Sequence, residues 1–193
     1  MKNVKLSGGN QKVGKCPNVS LIPIKDCGNC SECRDTCYAM KAWRQYPDTR
    51  KAWSHNSKLF RSDPFAAIQT VVNQLRKKRK LPFVRIHVAG DFLNQDHVEA
   101  WALCATEFPG TKFLAFTKMH ELNYDVMPSN VSIVFSQWPG MPDNAPKGPR
   151  AWCQDGTETR IPDSAIHCPG SCEDCGMCWE LPKLGRDVYF DIH

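Results

Sequence analysis

The segment FVRIHVAG (83–90) indicates the fold class of this chain because it is short and predominantly apolar. Short apolar runs of this kind are typical of strands buried on both faces, as the strands of parallel sheets are. Two further segments of the same type follow, KFLAFTK (112–118) and NVSIVFSQW (130–138). We therefore predict that these three segments are strands of one parallel sheet.

Helical patterns alternate with these strands. The segment 94–108 predicts a helix that Asn94 is suited to cap, and the segment 63–80 predicts another that Asp63 is suited to cap. The segment 37–60 predicts one or two more helices, interrupted at its central proline. Alternation of strands with helices is typical of βαβ units, which place their strands in a parallel sheet.

Outside this central region, NVSLIPI (18–24) and DVYFDI (187–192) predict a first and a last strand, whereas 139–152 is rich in proline and glycine and predicts a loop. About five strands are too few for a complete (β/α)8 barrel. We predict a single α/β domain over residues 1–193, with a parallel, incomplete barrel-like sheet and cysteine-rich loops at one edge.

Two cysteine runs are the most distinctive feature of the chain. The first is spaced two, two, three residues and the second three, two, two, so that one mirrors the other. The candidate metal ligands of the two runs are Cys27, Cys30, Cys33, Cys37, Cys168, Cys172, Cys175 and Cys178. Clustered thiols in a reducing compartment are poor disulfide candidates and indicate metal binding.

The spacing of the first run matches the bacterial ferredoxin run for a 4Fe–4S cluster, although Tyr38 stands where that motif has proline. Three cysteines of the second run, at spacing three, two, match the radical-SAM motif, in which one iron stays open for S-adenosylmethionine (SAM). Here Cys178 would fill that fourth position. We predict two 4Fe–4S clusters, with the two runs meeting at one edge of the sheet. Cys33→Ala or Cys172→Ala is expected to lose both cluster and solubility.

Zinc is the alternative to iron. Structural zinc sites usually consist of two cysteine pairs separated by a longer loop, and Cys27/Cys30 with Cys175/Cys178 would satisfy that pattern. One such site leaves four thiols unused, whereas a tight run of four suits an iron–sulfur cluster. Cys104 is predicted to be a core thiol.

Ligands of open parallel sheets bind beyond the carboxyl ends of the strands. The predicted strands bring Asp91 and Lys118 to that edge, and these are the candidate cofactor-binding residues. His87 lies within its strand and is predicted to be a buried histidine satisfied by hydrogen bonds. Asp91 could equally begin a turn.

Composition narrows the classes of function. The 193 residues are 41% hydrophobic and 23% charged, which is ordinary for a globular protein. There is neither an apolar run of membrane-spanning length nor a secretory signal, so we expect a cytoplasmic protein of a bacterial host cell without a membrane partner. Much of the net charge of +5 sits in RKKRK (76–80), which suits a helix end, so nucleic acid is not indicated.

With these segments in place, the chain resembles the phage gene product 88 family over nearly its full length. The resemblance rests on the segments GGNQKVGKCPNVSLIPI, CRDTCYAMKAWRQYP, RIHVAGDF, FLAFTK, SIVFSQWPG, CPGSCEDCGMCW and VYFDIH. It implies a metal-binding cysteine protein of phage or prophage origin, whose matching residues are the cysteines of both runs with His87, Gly90, Asp91 and His193. A ligand or salt-bridge role for His193 is a hypothesis.

The chain also looks like a reduced relative of the radical-SAM barrel, which makes SAM a candidate cofactor, although no glycine-rich SAM-binding segment follows the first run. Three functions compete at this stage. One is a redox or radical enzyme, for which an electron donor would be a partner. The second is a protein in which clusters only staple the fold or sense redox state. The third is a zinc-stapled adaptor for protein or nucleic acid.

Overall fold

A computed structural model describes residues 2–10, 13–28, 33–142 and 144–191, and its centre is one seven-stranded sheet. The strands are β1 (Asn18–Val19), β2 (Phe83–His87), β3 (Lys112–Thr117), β4 (Val131–Gln137), β5 (Arg150–Gln154), β6 (Ile166–His167) and β7 (Val188–Asp191). Their order across the sheet is β1-β2-β3-β4-β5-β7-β6, and every neighbouring pair is parallel.

The sheet is open, with β1 and β6 at its two edges in the part of the chain described. The predicted class, α/β with a parallel sheet that does not close into a full barrel, is therefore confirmed. Within the described ranges, six helices accompany the strands: α1 (Tyr38–Gln45), α2 (Pro47–Ser62), α3 (Pro64–Leu75), α4 (Gln95–Thr106), α5 (Cys172–Cys175) and α6 (Leu181–Leu184). A 3-10 turn, Met177–Trp179, lies between the last two helices.

Both predicted N-caps are confirmed. The Asp63 carboxylate accepts a hydrogen bond from the Ala66 amide at 2.9 Å, and the Asn94 side chain accepts one from the His97 amide at 3.0 Å. Each bond satisfies an amide that the first turn of a helix leaves without a partner. The break between α1 and α2 falls at Pro47, as predicted.

Several boundaries differ from the predictions. The first strand ends at Val19 rather than Ile24, and α3 ends at Leu75, so that the basic run 76–80 follows the helix instead of forming its last turn. β5 begins inside the segment predicted to be a loop, and β6 had not been predicted. Both are short, and β-periodicity is not detectable over two to five residues flanked by proline and glycine.

The two faces of the sheet are covered differently because successive side chains of a strand point to opposite faces. On one face, Val84, Ile86 and Ala115 pack with α3 and α4 in the larger core. On the other face, Leu114 and Val134 pack with Trp179 and Leu181 from the second cysteine segment. The second cysteine segment therefore packs on the sheet face that α3 and α4 do not contact.

Among the helices of the described residues, none has the length and apolarity needed to cross a membrane.

Candidate metal centre and cavity

Thiols from both cysteine runs line a single cavity of about 480 Å³. It lies on the sheet face opposite α3 and α4 and reaches the residues that follow the carboxyl ends of the strands. Cys27 from the first run and Cys168, Cys172 and Cys178 from the second are part of its wall. Topology thus brings two segments about 140 residues apart in sequence to one site, which is where parallel sheets place ligands.

The first run is anchored at its start by a buried carboxylate. The Asp26 side chain, 1% exposed, accepts hydrogen bonds from the Ile22 amide at 2.9 Å and from Arg61 Nε at 2.9 Å, and also from the Ser57 hydroxyl. Its backbone oxygen accepts a bond from the Asp91 amide at 2.7 Å. Asp26 therefore fixes the chain immediately before the first cysteine, and no sequence pattern had indicated this role.

Backbone strain accompanies the first cysteine. Ile24 has φ of +67°, a left-handed conformation that is unfavourable for a β-branched residue. Its amide donates a hydrogen bond to Cys27 Sγ at 3.3 Å. Burial raises the pKa of the Cys27 thiol to about 11. Without metal this sulfur is a protonated thiol that already accepts an amide hydrogen bond.

The remaining cysteines of the first run occupy different surroundings. Cys33 is buried and hydrogen bonds to the Lys118 side chain, and Cys37 stands at the N-cap position of α1. Cys30 lies outside the described residues, as does His193. Gly28, between the first two cysteines, has φ of +54°, and a Cβ there would lie 2.0 Å from Met119 Sδ.

Lys118 and Asp91, the predicted cofactor-binding residues, both line the cavity. Burial alone would lower the pKa of Lys118, but Cys33, Asp91 and Cys27 outweigh it and raise that pKa above its ordinary value. The Lys118 ammonium also lies 5.2 Å from the centre of the Trp138 ring. A cation is thus held beside the first run.

The Asp91 carboxylate already accepts hydrogen bonds from other groups of the protein. Its carboxylate accepts hydrogen bonds from the Thr117 hydroxyl at 2.7 Å and from the amides of Phe92 and Lys118 at 2.7 and 2.8 Å. Burial raises its pKa to about 6. These bonds connect the segment after β2 to the end of β3, which is a structural function whether or not Asp91 also meets a ligand.

The second run is tied to the sheet at both ends. The Cys168 amide donates to the Tyr189 oxygen of β7 at 2.9 Å, and the Cys178 oxygen accepts from the Ser132 hydroxyl of β4 at 2.9 Å. Between them lie α5 and the left-handed Gly176. Burial raises the pKa of Cys178 to about 12, and the charges of Cys168 and the other thiols of the run act in the same direction. Ligation of a metal here would have to displace protons.

Arg85 places a second cation beside this run. It projects from β2 with its guanidinium 4.1 Å from the centre of the Phe116 ring, and it lines the cavity together with Cys172 and Cys178. Its positive charge lowers the pKa of Cys178, against the larger effect of burial. Each cysteine run therefore has a cation beside it, Lys118 for the first and Arg85 for the second.

The prediction for His87 is confirmed for its burial and wrong for its hydrogen bonds. The ring is 3% exposed and lines the cavity, yet neither Nδ1 nor Nε2 has a hydrogen-bond partner among the described residues. Burial, reinforced by the neighbouring His97 and Arg85, lowers its pKa well below the ordinary value, so the ring is neutral. It packs against Phe92 and Trp101 instead of forming the expected hydrogen bonds.

Within the part of the chain that is described, no three His, Cys, Asp or Glu side chains are grouped to hold one metal ion. Cysteines of both runs line one cavity, one sulfur already accepts an amide hydrogen bond, and each run has a cation beside it. These are properties of cluster-binding segments. The residues therefore suit a cluster, and cluster binding stays a prediction.

The three cysteines outside the two runs, Cys16, Cys104 and Cys153, are all buried. Cys104 is fully buried on α4 within the larger core, as predicted. Cys153 is a buried residue of β5 and lines the cavity. Cys16 is buried beside the second run, and the pKa of its thiol is raised by burial to about 11.

An open parallel α/β sheet that carries a cysteine-lined cavity on the face away from its long helices defines the class of this protein. The chain belongs to the gene product 88 family, whose family model matches residues 2–181. It is 26% identical over 211 residues to the Gene 88 protein of Mycobacterium phage L5, an alignment that covers 89% of this chain and 86% of that protein. No solved structure matches the chain. The predicted resemblance to this phage family is thereby confirmed.

Proposed function

We propose that this phage-type protein is an iron–sulfur protein whose two cysteine runs each hold a 4Fe–4S cluster, and that it acts as a redox enzyme on a substrate bound in the cavity. One observation carries the proposal: thiols of both runs, Cys27 and Cys172 among them, share the wall of one cavity of about 480 Å³. That volume lies within the range of small-molecule sites. Metal-stapled folds need no shared cavity between their metals.

When bound, a 4Fe–4S cluster supplies one-electron transfer. The chain's own residues would supply the surroundings that such a cluster needs. Four thiolates make a cluster site negative, and a negative group in a largely apolar cavity is costly unless cations offset it. Lys118 beside the first run and Arg85 beside the second supply those cations. The Ile24 amide adds a hydrogen bond to sulfur, which is one of the ways a protein tunes a cluster's potential.

The spacing of the cysteines favours iron–sulfur clusters over zinc. Four cysteines within eleven residues, as in each run, suit the surface of a compact cluster, whereas zinc sites combine two separated pairs. SAM binding would require an iron without a thiolate ligand. The fourth cysteine of each run, Cys37 and Cys178, makes a fully ligated cluster the simpler arrangement.

A non-catalytic function is the second candidate, and the second run provides its supporting observation. α5 has four residues, the following 3-10 turn three, and α6 four. Helices of that length are unstable alone, so clusters or zinc could staple this cover onto the sheet, as in small metal-dependent domains. Trp179, buried against Phe83, would be fixed by the same metal.

As an adaptor, such a protein would need a surface for its partner. α1 and α2 expose several cations around the stacked pair Trp43 and Trp53, whose ring centres are 6.2 Å apart. The exposed cations are Lys41, Arg44, Arg50, Lys51 and Lys58. A basic surface with aromatic rings is the kind that contacts nucleic-acid phosphates and bases.

Anaerobic purification followed by iron, sulfide and zinc measurement, with a visible spectrum of the same sample, separates these functions. The proposal predicts a brown protein with about eight irons per chain, as two four-iron clusters require. About four irons would leave one run for another task, with SAM binding as the next test. Zinc in place of iron, from cells grown with ample iron, would refute the redox function and favour the adaptor.

A further inference from the structure

Helices α1 and α2 carry an excess of cations that the redox function does not use. Two segments of the chain, 38–62 and 76–80, each have a net charge of +5, although the whole chain has a net charge of +5. The remaining residues are therefore net negative. Segment 38–62 spans α1 and α2, and its exposed cations include Lys41, Arg44, Arg50, Lys51 and Lys58. A local excess of this size attracts polyanions.

Most of these cations are not neutralised by the protein. Among the described residues, no carboxylate forms a salt bridge with four of them, Lys41, Arg44, Arg50 and Lys58. Lys51 Nζ lies 3.3 Å from Asp48 Oδ1, but the two side chains are 79% and 98% exposed, and such a pair is weak. Arg61, the sixth cation of the segment, pairs with the buried Asp26. Five cations therefore remain available to a ligand.

Aromatic rings lie among the same cations. The rings of Trp43 and Trp53 stack with 6.2 Å between their centres and 24° between their planes, and both side chains are half-buried. Arg50 Nη1 donates a hydrogen bond to the Trp43 backbone oxygen at 3.5 Å, which keeps a guanidinium beside the pair. Tyr46, between the two helices, is 53% exposed. The basic run 76–80 contains no aromatic residue, so it does not share this combination.

The buried side of α2 fixes this surface to the core of the protein. Phe60 is 2% exposed and packs in the larger core. The buried Asn56 side chain donates hydrogen bonds to the backbone oxygens of Lys5 at 2.9 Å and Ser20 at 3.1 Å. Because the helix is anchored in this way, the surface is in place before a ligand binds, and binding loses little free energy to ordering.

Charge and aromatic rings together select the class of partner. The phosphates of any nucleic acid can pair with the cations, but stacking on an aromatic ring requires a base whose face is open. The bases of a duplex are stacked on one another and present only their edges in the grooves. A helix that binds a membrane surface needs a broad exposed apolar face, whereas the exposed positions of α2 are mainly charged. An unpaired strand therefore fits best.

We propose that the α1–α2 surface, formed by Trp43, Trp53 and the five available cations, binds single-stranded nucleic acid. Phosphates of the strand pair with the cations, and bases stack on the tryptophan rings. The expectation that nucleic acid is not indicated rested on the run 76–80 and does not apply to this surface. The inference goes beyond the proposed function, because the surface lies outside the cysteine runs and needs no metal. It holds for a redox enzyme and for a metal-stapled protein alike.

Fluorescence anisotropy of the anaerobically purified protein with labelled oligonucleotides tests the inference. The probes are a single strand of about 12 nucleotides, as DNA and as RNA, and the DNA duplex of the same length. Inorganic polyphosphate, which has charge but no bases, is the competitor. We expect either single strand to bind at least about tenfold more tightly than the duplex, because stacked bases contribute roughly that factor, and polyphosphate to compete about tenfold more weakly than unlabelled strand.

The salt dependence of the same binding counts the phosphate contacts. About four contacts to a single strand predict that the logarithm of the binding constant falls against the logarithm of the salt concentration with a slope of about −3. Binding of either strand supports the inference, and the ratio of the DNA and RNA affinities identifies the nucleic acid.

Two variants and a matched control assign the contacts. Trp43→Leu keeps an apolar side chain but removes the ring, so it should weaken single-strand binding about tenfold and leave the salt slope unchanged. The double variant Arg44→Gln/Lys58→Gln should weaken binding about fivefold and reduce the slope to about −1.5. The control Lys147→Gln/Lys183→Gln removes the same charge from exposed residues outside α1 and α2 and should stay within about twofold of the parent.

Several results would overturn the inference. These are no binding at about 100 μM protein, duplex binding as tight as that of the single strand, polyphosphate competing as well as the unlabelled strand, or equal losses in the double variant and its control. The double variant keeps the test decisive if Trp43→Leu does not fold, which circular dichroism shows. Iron is measured on the same samples. An iron-free protein that binds single strands refutes only the proposed function, whereas an iron-loaded protein that binds none refutes only this inference.

Discussion

Thr117 donates a hydrogen bond from its hydroxyl to Asp91 Oδ1 at 2.7 Å and so joins the end of β3 to the segment that follows β2. The same carboxylate accepts the Phe92 and Lys118 amides. All three donors end at one buried group that is 5% exposed. Asp91 therefore connects the segment after β2 to the end of β3, and Lys118, which follows β3, lines the cavity.

Asp91→Ala is expected to destabilise the protein by about 2–4 kcal/mol, because it leaves buried donors without a partner. The measurement is the urea midpoint of unfolding, followed by circular dichroism. Asp125→Ala is the matched control, since the Asp125 side chain is exposed. Equal midpoints for the two variants would show that the three hydrogen bonds contribute little to stability. Ligand binding would then be the remaining candidate role of Asp91.

Gly90 is required by both its conformation and its neighbour. Its φ is +80°, and a Cβ at this position would lie 2.6 Å from Leu21 Cβ. Gly90→Ala should therefore destabilise by more than about 1 kcal/mol, the cost of a left-handed conformation before any clash is counted. The urea midpoint again measures the effect.

Gly110→Ala is the control for this substitution. A Cβ on Gly110 would have no atom within 4 Å, and the backbone there has no positive φ. We expect Gly110→Ala to leave the midpoint within about 0.5 kcal/mol of the parent, as surface substitutions usually do. A Gly90→Ala protein as stable as Gly110→Ala would mean that the segment after β2 relaxes freely around Leu21.

Local sequence patterns were sufficient to predict the central strands and the starts of two helices. The caps Asp63 and Asn94 were predictable because a side-chain oxygen in front of an apolar pattern satisfies amides of the first turn, whatever the rest of the chain does. β2, β3 and β4 were predictable because a central parallel strand is apolar on both faces. The cysteine spacing likewise identified four of the residues that line the cavity, Cys27, Cys168, Cys172 and Cys178.

Other features depend on contacts between segments distant in sequence and left no local signal. β5 pairs with β4 and β7, which hold its five residues in a strand although proline and glycine precede it. His87 has no hydrogen-bond partner among the described residues, because Phe92 and Trp101 pack against its ring. Arg85 was not singled out, because an arginine within a strand gives no indication that Phe116 and the second cysteine run lie beside it.

His97 makes stability depend on pH. Burial lowers its pKa to about 3, and Trp101 Nε1 lies 3.2 Å from its Nε2. In the unfolded chain the same ring titrates near pH 6.5. Between about pH 6.5 and 3 this ring therefore binds a proton in the unfolded state but not in the folded state. The contribution of His97 to stability falls as pH is lowered, by up to about 1.4 kcal/mol per pH unit.

We expect His97→Gln to reduce this acid sensitivity, because the amide oxygen of glutamine can accept the Trp101 bond without titrating. Urea midpoints of both proteins at pH 7.5, 6.5, 5.5 and 5.0 give the two slopes, so that a constant loss of stability in the variant does not affect the comparison. An unchanged slope below pH 6.5 would place the acid sensitivity in other groups, His87 first among them.

The cysteine runs can be tested one thiol at a time. Cys172→Ala removes a thiol that lines the cavity in the second run, and Cys33→Ala removes a buried one in the first. Each variant should lose iron and sulfide relative to the parent, because an incomplete ligand set binds its cluster weakly, and should lose solubility as well, because metal binding contributes to folding. Iron per chain in the soluble fraction, normalised to protein, is the measurement.

Cys104→Ala separates ligand loss from the loss of a buried thiol. Cys104 is fully buried on α4, on the helix-covered side of the sheet, and belongs to neither run. The variant should keep the parent's iron while losing only the stability expected for a small cavity, about 1 kcal/mol. A soluble Cys33→Ala or Cys172→Ala protein with the same iron content as Cys104→Ala would show that these thiols do not hold the metal, and the iron–sulfur proposal would fall with them.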